Sequence, residues 1–149
     1  MTIDVLPTVA RLIGATLPDH KIDGRDIWPL ISGEPGARSP HEAYYFYYGR
    51  ELQAVRAGRW KLHFPHGFAT LGGRKGGAGG TPAKYDQARI DLALYDLEKD
   101  AGETTDVKDA NPEIVARLQA LGAAMRKDLG DSATREPGPG AREPGKLKD

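Results

Sequence analysis

The sequence predicts an α+β fold: a small four-stranded antiparallel sheet packed against a C-terminal helix, preceded by one further helix and a linker. Three observations carry this. Residues 43–64 hold three short β-favouring runs divided by Gly-containing turns, and a fourth run follows at 92–97. Residues 111–130 carry the clearest helical repeat of apolar side chains. Residues 2–16 carry a second such repeat, with apolar residues that no neighbouring segment would cover.

In the first helix Asp4 stands as N-cap and Pro7 lies in the first turn, where a missing N–H costs little. Val5, Leu6, Val9, Leu12 and Ile13 form one apolar stripe, and Gly14 suits the C-terminal end. A helix this short is marginal alone in water, so the stripe needs a surface. Residues 17–42 read as linker, punctuated by Pro18, Asp23–Gly24, Pro29, Pro35–Gly36 and Pro40. Within it Ile27–Ile31, with Trp28, is an apolar island that asks for a partner.

The sheet follows. Ala43–Tyr48 is rich in aromatics, Leu52–Ala57 is the second run, and Trp60–Phe64 alternates. Alternation puts Trp60, Leu62 and Phe64 on one face, with Lys61 and His63 on the other. Residues 65–90 read as a long loop, glycine-rich and basic between Gly72 and Gly80. Leu92–Leu97 is the fourth strand. The last helix starts with Asn111 as N-cap and Pro112 in the first position, with Glu113 favouring the dipole. Ile114, Leu118, Leu121, Met125 and Leu129 recur on one face, and Gly130 ends it. Residues 132–149, rich in charge, Pro and Gly, are expected to be an extended or disordered tail.

Composition narrows function by exclusion. Lys and Arg number 21 and Asp and Glu number 21 in 149 residues, so net charge is zero. That argues against a bulk electrostatic drive to nucleic acid or anionic membrane. No apolar run approaches the ~20 residues of a membrane span. The first residues lack a basic and an apolar region, so no signal peptide is read, and compartment is left open. Without cysteine, disulfides, thiolate metal sites and cysteine nucleophiles are excluded. No Walker loop, HExxH or Gly-x-Ser-x-Gly elbow occurs. His63 and His66 are the nearest histidine pair, without a carboxylate close in sequence, and no metal site is assigned to them. No catalytic residue is assigned either.

Four segments in order resemble the C-terminal part of arylsulfatase-type sulfatases. They are IDVLPTVARLIG at 3–14, IDGRDIWPLISG at 22–33, AVRAGRWKLHF at 54–64, and LYDLEKDAGE at 94–103 with Asn111–Glu113 beyond. Ala101 stands where the family usually has Pro, and Asp106 where Asn is common. The resemblance implies a large α/β domain followed by a small four-stranded subdomain. Residues 1–42 would then be the tail of the large domain, 43–131 the small subdomain, and 132–149 the terminal tail. The missing partner of Val5, Leu6, Val9, Leu12, Ile13 and Trp28 would be that large N-terminal sulfatase domain.

The resemblance also implies hydrolysis of sulfate esters, with a formylglycine made from a Cys/Ser-x-Pro-x-Arg motif and a calcium ion in a full-length relative. This sequence contains neither that motif nor the Asp-Asp and Asp-Asn segments that hold the calcium. The chain alone is therefore expected to be inactive and to hold no cofactor. By the resemblance, His63 is substrate-proximal at the pocket rim, and Lys61, on the same face, is the weaker candidate. Full-length relatives are often periplasmic or secreted. A second reading is an autonomous binding module for an acidic ligand or glycan, which would require residues 2–42 to fold and stay monomeric without a partner.

Overall fold

In the computed structural model, whose described residues are 1–142, contacts divide the chain into two units, Met1–Glu42 and Ala43 onward. In the first unit a 3-10 turn at Thr2–Asp4 leads into α1, Val5–Ile13, which ends at Gly14 in the left-handed region with φ 68°. α2 is a single short turn, Trp28–Ile31.

Asp4 occupies the N-cap position of α1, but its side chain does not cap. It is buried and accepts hydrogen bonds from Arg25 N–H at 2.8 Å and from His41 Nε2 at 2.7 Å. Thr8 Oγ1 donates to the Asp4 carbonyl and accepts from Ile27 N–H at 3.0 Å. These bonds stitch the linker to one side of α1, where Asp4, Pro7, Thr8 and Ala10 are buried. The contact is close at Gly24, where a Cβ would stand 1.8 Å from the Ile3 carbonyl oxygen. The apolar stripe lies on the opposite side. Val5, Leu6, Val9, Leu12 and Ile13 are 46–72% exposed, and Trp28, Leu30 and Ile31 are exposed too.

The second unit is the expected four-stranded antiparallel sheet with a C-terminal helix. β1 is Tyr44–Tyr48, β2 Glu51–Ala57, β3 Trp60–His63, β4 His66–Thr70, β5 Asp86–Ile90 and β6 Ala93–Asp96. The main sheet runs β1-β2-β3-β6, with a bulge between Phe46 and Tyr47. Register pairs Val55 with Leu62 and Leu62 with Leu94 across the centre of its core face. α3, Pro112–Leu129, crosses β2 and β3 and closes the core of Leu52, Val55, Ala57, Leu62, Phe64, Leu94 and Leu118. Asn111 is its N-cap residue, but its amide donates back to the Val107 carbonyl at 2.8 Å and does not cap.

Two expectations are corrected. Residues 65–90 are not one long loop: β4 and β5 pair over five residues, His66 with Ile90 through Thr70 with Asp86, to make a two-stranded arm. Arg74 fastens its loop end, donating to the carbonyls of Leu71 and Lys84 and to the Asp86 carboxylate. Residues 131–142 form turns rather than extended chain. Asp131 is buried and binds Arg126 Nε at 2.6 Å, its backbone pairs with Glu136, and Gly140 N–H donates to the Asp128 carbonyl at 2.7 Å. The rest of the expected tail, 143–149, lies outside the described residues.

Candidate functional site

The pleat of β3 sends Lys61 and His63 to the sheet face opposite α3, as alternation requires. There both meet one side chain, Glu103, which enters from the turn after β6. Lys61 Nζ stands 2.7 Å from Glu103 Oε1, and His63 Nε2 stands 2.6 Å from Oε2. Lys61 and His63 are each 14% exposed and Glu103 27%.

Aromatic rings wall the cluster. The Lys61 ammonium lies 4.8 Å from the centre of the Phe46 ring. The His63 ring stacks on His66 at 5.4 Å and meets Tyr95 edge-on at 5.7 Å. His66 is buried, with Nδ1 2.7 Å from the Phe64 carbonyl oxygen. His63 Nδ1 is buried without a hydrogen-bond partner.

The electrostatics follow from burial and charge. Desolvation pushes the His63 imidazolium below its ordinary range, and the Lys61 charge adds to this, although Glu103 pulls the other way. For Glu103, burial pushes the carboxyl up, but hydrogen bonds from Lys61 and His63 outweigh it and hold it below the ordinary range. The cluster at neutral pH is thus one ammonium, one carboxylate and one neutral imidazole. Sequence reasoning set Lys61 and His63 on one face and noted His66 only as the histidine nearest to His63; it did not single out Glu103. Glu103 is 40 residues from His63 in the chain, and only the family segment at 94–103 touched it.

A concavity of about 390 Å³ lies beside Trp60, apart from this cluster, and is lined by Arg59, Asp96, Lys99 and Asp100. Arg59 stacks on Trp60 and pairs with Asp96 and Glu98, so its polar groups are satisfied within the chain. Among the described residues no group of three or more His, Asp or Glu side chains is placed to hold a metal ion. No described helix is long and apolar enough to cross a membrane.

Residues 39–136 match the family described as the C-terminal region of aryl-sulfatase. The chain belongs to this family. Arylsulfatase A of Homo sapiens is 35% identical over 133 residues, which cover 80% of this chain and 25% of the relative. Steryl-sulfatase of Mus musculus is 40% identical over 138 residues, covering 83% of this chain and 22% of the relative. The chain therefore spans about a quarter of the length of these curated relatives. Its fold is similar to the crystal structure of the PsFucS1 sulfatase from Pseudoalteromonas sp., with a TM-score of 0.61 over 90% of this chain and 26% of that one, at 14% identity.

For a member of the sulfatase family the site is notable for what it is made of. The groups that the family implies, a formylglycine and a calcium ion, do not fit these residues. The sequence has no cysteine and no Ser-x-Pro-x-Arg from which the aldehyde could be made, and the described carboxylates do not converge. Lys61, His63 and Glu103 can donate hydrogen bonds, hold a charge and orient a neighbour; they do not make a nucleophile beside a Lewis acid.

Proposed function

We propose that this chain is the C-terminal portion of an arylsulfatase-like sulfate ester hydrolase, with a structural role and a share in the rim of the substrate pocket. It is not catalytically competent alone. The observation that carries the reading is the unpartnered apolar side of α1. Val5, Leu6, Val9, Leu12 and Ile13 face outward although a polar, well-bonded side of the same helix is buried. A chain that buries Asp4 and Thr8 while exposing five aliphatic side chains is built to be covered. The occupant is the preceding large sulfatase domain, because relatives hold about three quarters of their length beyond the region matched here. The same domain, on this reading, also covers the exposed Trp28 of α2.

On this reading the nucleophile and the metal reside in the preceding domain. The Lys61 and His63 face of the sheet borders the pocket, and the arm of β4 and β5 lies where it influences which substrates enter. A chimera tests this: the corresponding quarter of human arylsulfatase A is replaced by this chain, and turnover of an aryl sulfate is measured. A folded, active chimera is expected. A folded chimera without turnover, beside an active parent, contradicts the proposal.

A further inference from the structure

We propose that Glu103 is a positioning residue of the pocket rim, whose single carboxylate fixes the Lys61 ammonium and the Nε2–H form of His63 together. The inference rests on the reading that this sheet face borders the pocket, and it adds a residue that neither composition nor spacing pointed to.

Geometry comes first. Lys61 and His63 are two residues apart on β3, so their side chains stand side by side on one face. Each takes one oxygen of the same carboxylate, at 2.7 and 2.6 Å. Both oxygens are thus used, and the two basic side chains cannot move independently.

The backbone at Glu103 makes the same point. Its φ is 54°, in the left-handed region that favours glycine, and among the described residues only Arg135 shares this outside glycine. A turn chosen for its backbone alone would place Gly here. The conformation is held from both sides: Glu103 N–H donates to the Asp100 carbonyl at 3.2 Å, and the Asp100 carboxylate accepts from Thr104 and Thr105 N–H at 2.7 and 2.8 Å. The strain is compensated by what the side chain reaches.

The proton on His63 follows from the unpartnered nitrogen. A neutral ring with its hydrogen on Nε2 donates to Glu103 and leaves a bare lone pair at Nδ1. A doubly protonated ring would bury an Nδ1–H with nothing to accept it, at greater cost. The groups facing His63 are Glu103, Lys61, His66 and Tyr95, and Arg56 stands opposite Lys61 on β2. Glu103 is the anion among them. It holds the ammonium and the neutral imidazole side by side through its two oxygens.

The test is proton NMR of the chain itself, watching the imidazole N–H resonances. A ring N–H bonded to a carboxylate gives a downfield, exchange-protected signal. The inference expects that signal from His63 in the parent protein, its upfield shift in Glu103→Gln, and its loss in Glu103→Gly with the fold intact by circular dichroism. Its absence from the parent, or an unchanged signal in Glu103→Gln, overturns the positioning role. Should the glycine variant fail to fold, the near-isosteric Gln variant still decides the point.

Kinetics of the arylsulfatase A chimera separate the two layers. With Glu103→Gln, kcat/KM is expected to fall about tenfold or more, because misplaced rim groups misplace substrate. A shifted NMR signal with unchanged chimera kinetics removes the rim reading but not the hold of Glu103 on the pair.

Discussion

A Cβ built on Gly122 of α3 would stand 2.5 Å from Cζ of Phe64, the ring that α3 presses against the sheet. Arg126, one turn further along, lays its guanidinium 4.1 Å from the centre of the same ring. The helix therefore approaches the sheet as closely as a residue without a side chain permits. Gly122→Ala is expected to destabilise the chain although alanine is the better helix former. Helix propensity returns roughly 1 kcal/mol, while overpacking a filled core costs about 1–3 kcal/mol. Urea denaturation gives the sign. An unchanged or raised midpoint contradicts this account of the contact.

The end of α3 is tied to β1 by one bond, Tyr47 Oη–H donating to the Gly130 carbonyl at 2.9 Å. Tyr47→Phe keeps the ring and removes the donor. A loss of about 0.5–1.5 kcal/mol is expected, read from the same denaturation curves. Thermal melting of the variant within error of the parent would show that water replaces the bond without cost.

Stability should depend on pH through His63. Its folded pKa is depressed by burial, so the unfolded chain takes up the proton first as pH falls past the ordinary value of 6.5. Its contribution is complete above that value and is lost as pH drops towards the lower folded pKa. Glu103, also held low, adds a second loss as pH falls below its ordinary 4.5. Urea midpoints should be flat between about pH 7 and 9 and decline below about pH 6.5. The first decline should flatten in His63→Gln. A decline confined to the lower window contradicts the assignment to His63.

The apolar side of α1 should be silent in the chain alone. Val9→Lys and Leu12→Lys alter side chains that are 46% and 50% exposed. Each should change folding stability by no more than about 0.5 kcal/mol. Both should reduce binding of a hydrophobic dye and self-association, and both should impair assembly of the arylsulfatase A chimera. A large loss of stability in the isolated chain would mean that the stripe is covered from within.

The sheet was legible because its signals are local. The aromatic run at 43–48, the glycines at 49 and 58 and the alternation at Trp60–Phe64 each fix strand or turn within a few residues. The β4 and β5 arm was not legible. β4 carries Gly67, β5 opens with Asp86 and Gln87, and neither alternates cleanly; they become strands by pairing with each other. The caps of α1 and α3 were read in the right positions but with the wrong bonds. Asp4 is taken up by Arg25 and His41, and the Asn111 amide by the Val107 carbonyl. Propensity places a capping residue, whereas distant partners decide what its side chain does.

The site divides in the same way. Alternation alone put Lys61 and His63 on one face. Nothing local could have joined them to Glu103, which enters from a turn beyond the β4 and β5 arm and β6. The exposed stripe of α1 was legible as an excess, since its apolar residues had no counterpart in the rest of the chain.

Turnover of an aryl sulfate by the purified chain, with calcium supplied in excess, tests the central claim most directly. The account predicts no hydrolysis above the uncatalysed background, because the sequence holds no aldehyde precursor and the carboxylates of the described residues do not converge. Saturable hydrolysis that copurifies with the chain, and is abolished by unfolding it, would contradict that claim.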